Sequence, residues 1–168
     1  LTGDVNTAGH HAFGPHFREL RVAKTPRHRI LDKLTAQWLG ASVDDIVAMD
    51  HPGATPALAD TLARACQGAD RVVASHPYLY PLIRQVWSGP LWYEAHNVEA
   101  DMKAAVLAPT LNRGRRAAQR ALARVEAVEG ACAREAPCVL AVSGQAVPST
   151  HLTLPTKRVV WSSGASAA

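Results

Sequence analysis

Apolar positions along this sequence follow two rhythms, a helical repeat and short unbroken runs. Residues 28–39 place Ile30, Leu31, Leu34, Trp38 and Leu39 at helical spacing and stop at Gly40, which predicts a helix whose stripe packs into a core. Thr55 followed by Pro56 predicts a second helix start, with Leu58, Leu62 and Ala65 along one face until Gly68. Pro77 opens a third, Tyr78 to Trp87, closed by Ser88-Gly89-Pro90. A fourth runs from Val98 to about Leu107 and breaks between Pro109 and Gly114. A long Ala-rich helix from about Arg115 to Ala136 keeps Leu122, Val125, Val128 and Cys132 in register.

The unbroken runs are residues 71–75, 91–95 and 138–143, each bounded by helical sequence. Strands that are apolar at every position, not at every second one, are those of a parallel sheet covered on both faces. Phe17 to Val22 predicts a further strand, ended by Lys24-Thr25-Pro26, while residues 1–16 have loop composition. Asp44 to Pro52 reads as a brief strand or a loop in an acidic surround. The alternation of strand and helix predicts an α/β fold, a doubly wound, mostly parallel sheet with helices on both faces. Right-handed crossovers then set the carboxyl ends of the three strands on one edge, where such sheets bind ligands. That edge collects Ser75, His76, His96, Asn97 and Ser143.

At 168 residues the chain is long enough for one domain with its own core. We expect that domain over residues 1–147. The composition of residues 148–168 shifts to Thr, Ser and Pro, and the helix due after Ser143 does not follow, so we expect an irregular tail foreign to the fold. The sequence opens at Leu1 without an initiator methionine, and a first strand with its Gly-rich turn is expected upstream. Cys66, Cys132 and Cys138 form no CxxC pair and read as reduced thiols. No apolar run approaches the roughly 18 residues of a membrane span, and no signal-peptide core opens the chain, so a cytoplasmic protein is expected. The net charge of +4 is a mild basic bias. Arg116, Arg120 and Arg124 share one helix face without interleaved aromatics, which fits a solvated face or acidic lipid headgroups and not nucleic acid. On the second of these two readings, the chain makes peripheral contact with the inner face of a membrane.

Chemistry concentrates around residues 91–101, where a strand runs straight into a helix. Asn97 takes the N-cap position there, and Glu99 and Asp101 favour the positive end of the helix dipole. His96, between strand and helix, can donate to a sugar or phosphate oxygen or exchange protons near neutral pH. It is the candidate catalytic residue. His76 sits equivalently one unit earlier, although Ser75-His76-Pro77 is also ordinary punctuation between elements. Glu94 is a carboxylate within an apolar strand and must find a partner or face a crevice. With these we group Asn97, Ser75 and Ser143 as candidate substrate contacts. His10, His11 and His16 lack the further ligands on rigid elements that a metal site needs, and no metal or cofactor is expected. No Gly-rich phosphate loop, GxSxG elbow or HExxH pattern occurs.

The segments from Tyr93 to Glu99, Val125-Glu126 with Val128-Glu129, and Val142-Ser143 carry a family likeness. Together they resemble the amino-terminal domain of GT-B glycosyltransferases of the glycosyltransferase family 4 kind, over roughly residues 17–145. There, a strand ending in a YEAHNVE-like segment precedes a helix, then a long helix bearing a VE pair, then a strand ending in VS. The resemblance implies one Rossmann-like half of an enzyme that moves a sugar from a nucleotide-sugar donor to a sugar, lipid or small-molecule acceptor. It implies that this half serves the acceptor side and that the donor binds chiefly to a carboxyl-terminal half absent here. His96 would then face the interdomain cleft, with Asn97 beside it, and no metal would be required. A chain lacking the second half is expected to be inactive by itself. The rival readings are a non-catalytic doubly wound module for a nucleotide or a partner protein, and another α/β enzyme, such as an epimerase or a hydrolase with Ser75 as nucleophile.

Overall fold

A computed structural model gives the fold and describes residues 1–111, 116–141 and the backbone of 158–161. The chain opens with a 3₁₀ turn at Val5–Thr7 and an antiparallel hairpin of β1 (Gly9–Ala12) and β2 (Arg18–Arg21), registered Gly9 to Arg21. The strand expected near residues 17–22 is thus present, but its partner is β1, in a region read from sequence as loop. That pairing is local and backbone-driven, and with half of its residues exposed and the rest only half-buried it leaves no apolar alternation to read.

Among the described residues, six helices and a parallel sheet follow. Helix α1 (Pro26–Leu39) starts where Thr25 Oγ1 accepts from His28 N, with Pro26 at its first position, and ends at Gly40 in the left-handed conformation. An added Cβ at Gly40 would also stand 3.0 Å from Thr110 Oγ1. Residues 44–50 form α2, not a strand or a loop. Ile46, Val47, Ala48 and Met49 are all buried, so the short apolar run is a helix surrounded by protein, which periodicity does not distinguish from a buried strand. Helix α3 (Pro56–Cys66) begins as expected, but Thr55 does not cap it; its hydroxyl is 3.0 Å from His28 Nδ1. Strand β3 (Val72–Ala74) leads through a 3₁₀ turn at Pro77–Leu79 into α4 (Tyr80–Val86), then β4 (Leu91–Ala95). Helix α5 (Glu99–Leu111) continues past Pro109, where a break was expected. The carbonyl that Pro109 deprives of a donor is that of Ala105, which is solvent-exposed. Helix α6 (Arg116–Glu135) leads to β5 (Cys138–Ala141).

The expected parallel arrangement is present. Strands lie in the order β3-β4-β5-β6, all parallel, with Ala74 beside Tyr93 and Tyr93 beside Val139. Strand β6 (Arg158–Trp161), from the segment read as an irregular tail, pairs with β5 from Cys138–Arg158 to Ala141–Trp161. One core cluster joins Ala74, Leu91, Tyr93, Ala95 and Val139 to Leu39, Ile46, Ile83, Leu107, Val125 and Cys132 from the helices. All five sheet residues share one face. Those between them, Trp92, Glu94, Cys138 and Leu140, are half-buried, and Val73 is exposed. Burial therefore alternates along strands whose sequence is continuously apolar.

Helix α1 departs furthest from its sequence reading. Leu39 is buried, but Ile30, Leu34 and Trp38 are 57%, 50% and 72% exposed. The inward side carries His28 and Asp32 instead, with Lys24 2.8 Å from both Asp32 and Asp44. Among the described residues no helix is long and apolar enough to cross a membrane.

Candidate functional site at the strand ends

Parallel pairing of β3 with β4 brings their carboxyl ends side by side, and six polar side chains meet there. Ser75, just past β3, donates its hydroxyl to Glu94 Oε2 at 2.8 Å. The same oxygen lies 3.4 Å from His96 Nε2. His76 Nδ1 lies 2.9 Å from Glu99 Oε1, in the first turn of α5, while the Tyr78 hydroxyl donates to Glu99 Oε2 at 2.8 Å. The His76 and His96 rings are 5.5 Å apart between centroids. Two imidazoles thus stand together, each backed by its own carboxylate. Glu94 has found the partner that its place in an apolar strand required.

Beneath this pair, Glu129 of α6 acts as a base plate. Its Oε1 accepts from Glu99 N at 2.9 Å and from the Tyr93 hydroxyl at 3.2 Å, and its Oε2 accepts from Ala100 N at 3.0 Å. These are the free backbone donors of the α5 N-terminus, which the sequence assigned to Asn97. The correction has a simple cause. Helix α5 begins at Glu99, one residue beyond Val98, and a carboxylate from α6 offers both donors a charge-assisted partner that the exposed Asn97 does not match. Burial pushes the Glu129 carboxyl above its usual range, against the lowering effect of the two backbone N–H groups and Tyr93. Burial also drives the Tyr78 and Tyr93 hydroxyls far above the usual phenol value, reinforced by Glu99 at Tyr78 and by Glu129 at Tyr93, so both remain neutral donors. Lys103 lies 5.3 Å from the Tyr78 ring and is ion-paired to Asp45.

A cavity of about 460 Å³ opens beside β3. Its wall includes Ser75, His76, Tyr78 and Asp45, with Val72 and Leu79 among the apolar residues. His76 therefore connects the cavity to the imidazole pair, whereas His96, Glu94 and Asn97 lie outside its lining. Of the six sequence candidates, the structure gathers Ser75, His76, Glu94 and His96, leaves Asn97 exposed beside them, and Ser143 lies outside the described residues. Tyr78 and Glu129 were not singled out as candidates. Glu129 carried a signal, since it sits in register with Val125, Val128 and Cys132, where an acid must be buried. Among the described residues no group of three or more His, Cys, Asp or Glu is placed to hold a metal ion.

A His–carboxylate pair orients the ring and fixes which nitrogen carries a proton, leaving the other to meet a ligand hydroxyl or an anionic oxygen. Two such rings 5.5 Å apart are spaced to contact neighbouring oxygens of one polyhydroxylated or anionic ligand. Compared with known proteins, the chain matches no family model, no curated sequence and no solved structure.

Proposed function

We propose that this chain is the acceptor-side domain of a GT-B glycosyltransferase, one half of an enzyme that passes a sugar from a nucleotide-sugar donor to a hydroxyl-bearing acceptor. The observation that carries the reading is the convergence of His76 and His96, each held by a carboxylate, at the carboxyl ends of adjacent parallel strands. Polyhydroxylated ligands need rigid donors and acceptors at that rim, and a retained cavity beside it gives the acceptor room. In this reading His96 contacts the transferred sugar, and His76, Ser75 and Glu94 contact the acceptor. The full sheet of the proposal is doubly wound, with a further strand beyond β3 and helices over the face that carries Trp92 and Leu140. The donor nucleotide belongs to a second domain, so most of the transition-state stabilisation is supplied from outside this chain.

The test is a nuclear magnetic resonance titration of the chain with simple sugars and polyols, paired with a nucleotide-sugar turnover assay. Weak, saturable shifts centred on residues 75–76 and 94–99 are expected, lost in His76→Ala and His96→Ala variants that keep their circular dichroism. Turnover by the chain alone is expected to be undetectable. Measurable turnover, or polyol shifts that ignore both histidines, would overturn the assignment.

A further inference from the structure

Helix α1 is turned inside out. Its polar residues His28 and Asp32 point inward, to Thr55 and Lys24, while Ile30, Leu34 and Trp38, spaced one turn apart, form an exposed apolar stripe about 12 Å long. Arg27 and Lys33 are exposed beside that stripe and Arg29 is half-buried. Asp32 is the only acid in the helix and is already ion-paired to Lys24. The outward face thus combines aliphatic side chains, a tryptophan and cations that form no ion pair among the described residues.

We infer that α1 is a docking surface for an anionic lipid bilayer, lying flat with Ile30, Leu34 and Trp38 among the acyl chains and Arg27 and Lys33 at the headgroups. Charge complementarity selects this occupant. A second copy would bring its own Arg27 and Lys33 to the same interface and double the positive charge there, a repulsion that negatively charged headgroups turn into attraction. Tryptophan and cationic side chains flanking an apolar stripe are also what an interfacial helix requires. This surface is independent of what the strand-end site binds, and it lies on a different element from the Arg116, Arg120 and Arg124 face.

Co-sedimentation with vesicles tests it, using phosphatidylcholine alone and phosphatidylcholine with about a third phosphatidylglycerol. The chain is expected to pellet with the anionic vesicles and not with the neutral ones, less so as salt rises. Combined Ile30→Ser, Leu34→Ser and Trp38→Ser should weaken binding about tenfold or more. Arg27→Glu with Lys33→Glu, at two exposed positions that leave the fold intact, should do the same. Anionic-vesicle binding that survives both variants overturns the proposal, as does its absence from the wild type. So does self-association of the vesicle-free chain in analytical ultracentrifugation that the triple variant abolishes, an outcome that assigns the face to a second copy.

Discussion

His28 shows what a buried titratable group does to this chain. Its side chain is 2% exposed, with Nδ1 3.0 Å from the Thr55 hydroxyl and Nε2 3.6 Å from Asp32 Oδ1. Burial pushes its imidazole below the ordinary value, against the opposing pull of Asp32. Between the folded and unfolded pKa values the unfolded chain binds the extra proton, so stability is held above about pH 6.5 and lost as pH falls. Glu129 runs the other way, because its raised pKa favours the fold at low pH and costs stability as pH rises from the usual carboxylate range. Asp44, held low by Lys24, loses its contribution only below about pH 4. Comparison of wild type with His28→Asn, which keeps a partner for Thr55, isolates the imidazole. Urea midpoints between pH 7 and 5 should fall in the wild type and flatten in the variant. Parallel curves would mean that the fold does not suppress protonation of His28.

At the scale of elements, a leucine in α1 and a leucine in α5 make opposite predictions. Leu34 belongs to an apolar helical stripe but is half-exposed, whereas Leu107 is fully buried in the core cluster. Leu107→Ala should cost about 2–5 kcal/mol, while Leu34→Ala should stay within about 0.5 kcal/mol in denaturant titration. A Leu34 loss as large as that of Leu107 would return the stripe to the core. The contrast also marks what the sequence made legible. Caps, glycines and prolines placed α1, α3 and α6 well, because those signals act within a few residues. Which way α1 faces was not legible, since its inward side is set by Lys24, Asp44 and Thr55 from other elements. The strand-end cluster was legible in part for the same reason. Ser75, His76, Glu94 and His96 follow from where strands end, but Tyr78 and Glu129 join through the packing of α6 against β4 and against the 3₁₀ turn at Pro77–Leu79.

Across the whole molecule, stability should be as uneven as burial. Strand β4 lies between β3 and β5, and Leu91, Tyr93 and Ala95 are buried in the one core cluster. The β1–β2 hairpin stands outside that cluster, joined to the following chain by Thr2, whose N donates to Val22 O and whose O accepts from Lys24 N, each at 2.8 Å. Phe13 and Phe17 at its tip are exposed, their rings packing mainly on each other at 5.6 Å. Few buried apolar contacts mean that the hairpin can open without unfolding the sheet. Amide hydrogen exchange should therefore give residues 9–12 and 18–21 an opening free energy at least about 3 kcal/mol below that of residues 91–95. The same experiment reads the site, because the amides of Glu99 and Ala100 bond to Glu129 and should exchange with the core, not with a fraying helix end. Rapid exchange at those two positions would show that Glu129 does not hold α5 in place. The carboxylate behind His76 would then be anchored only by its own helix and the Tyr78 hydroxyl.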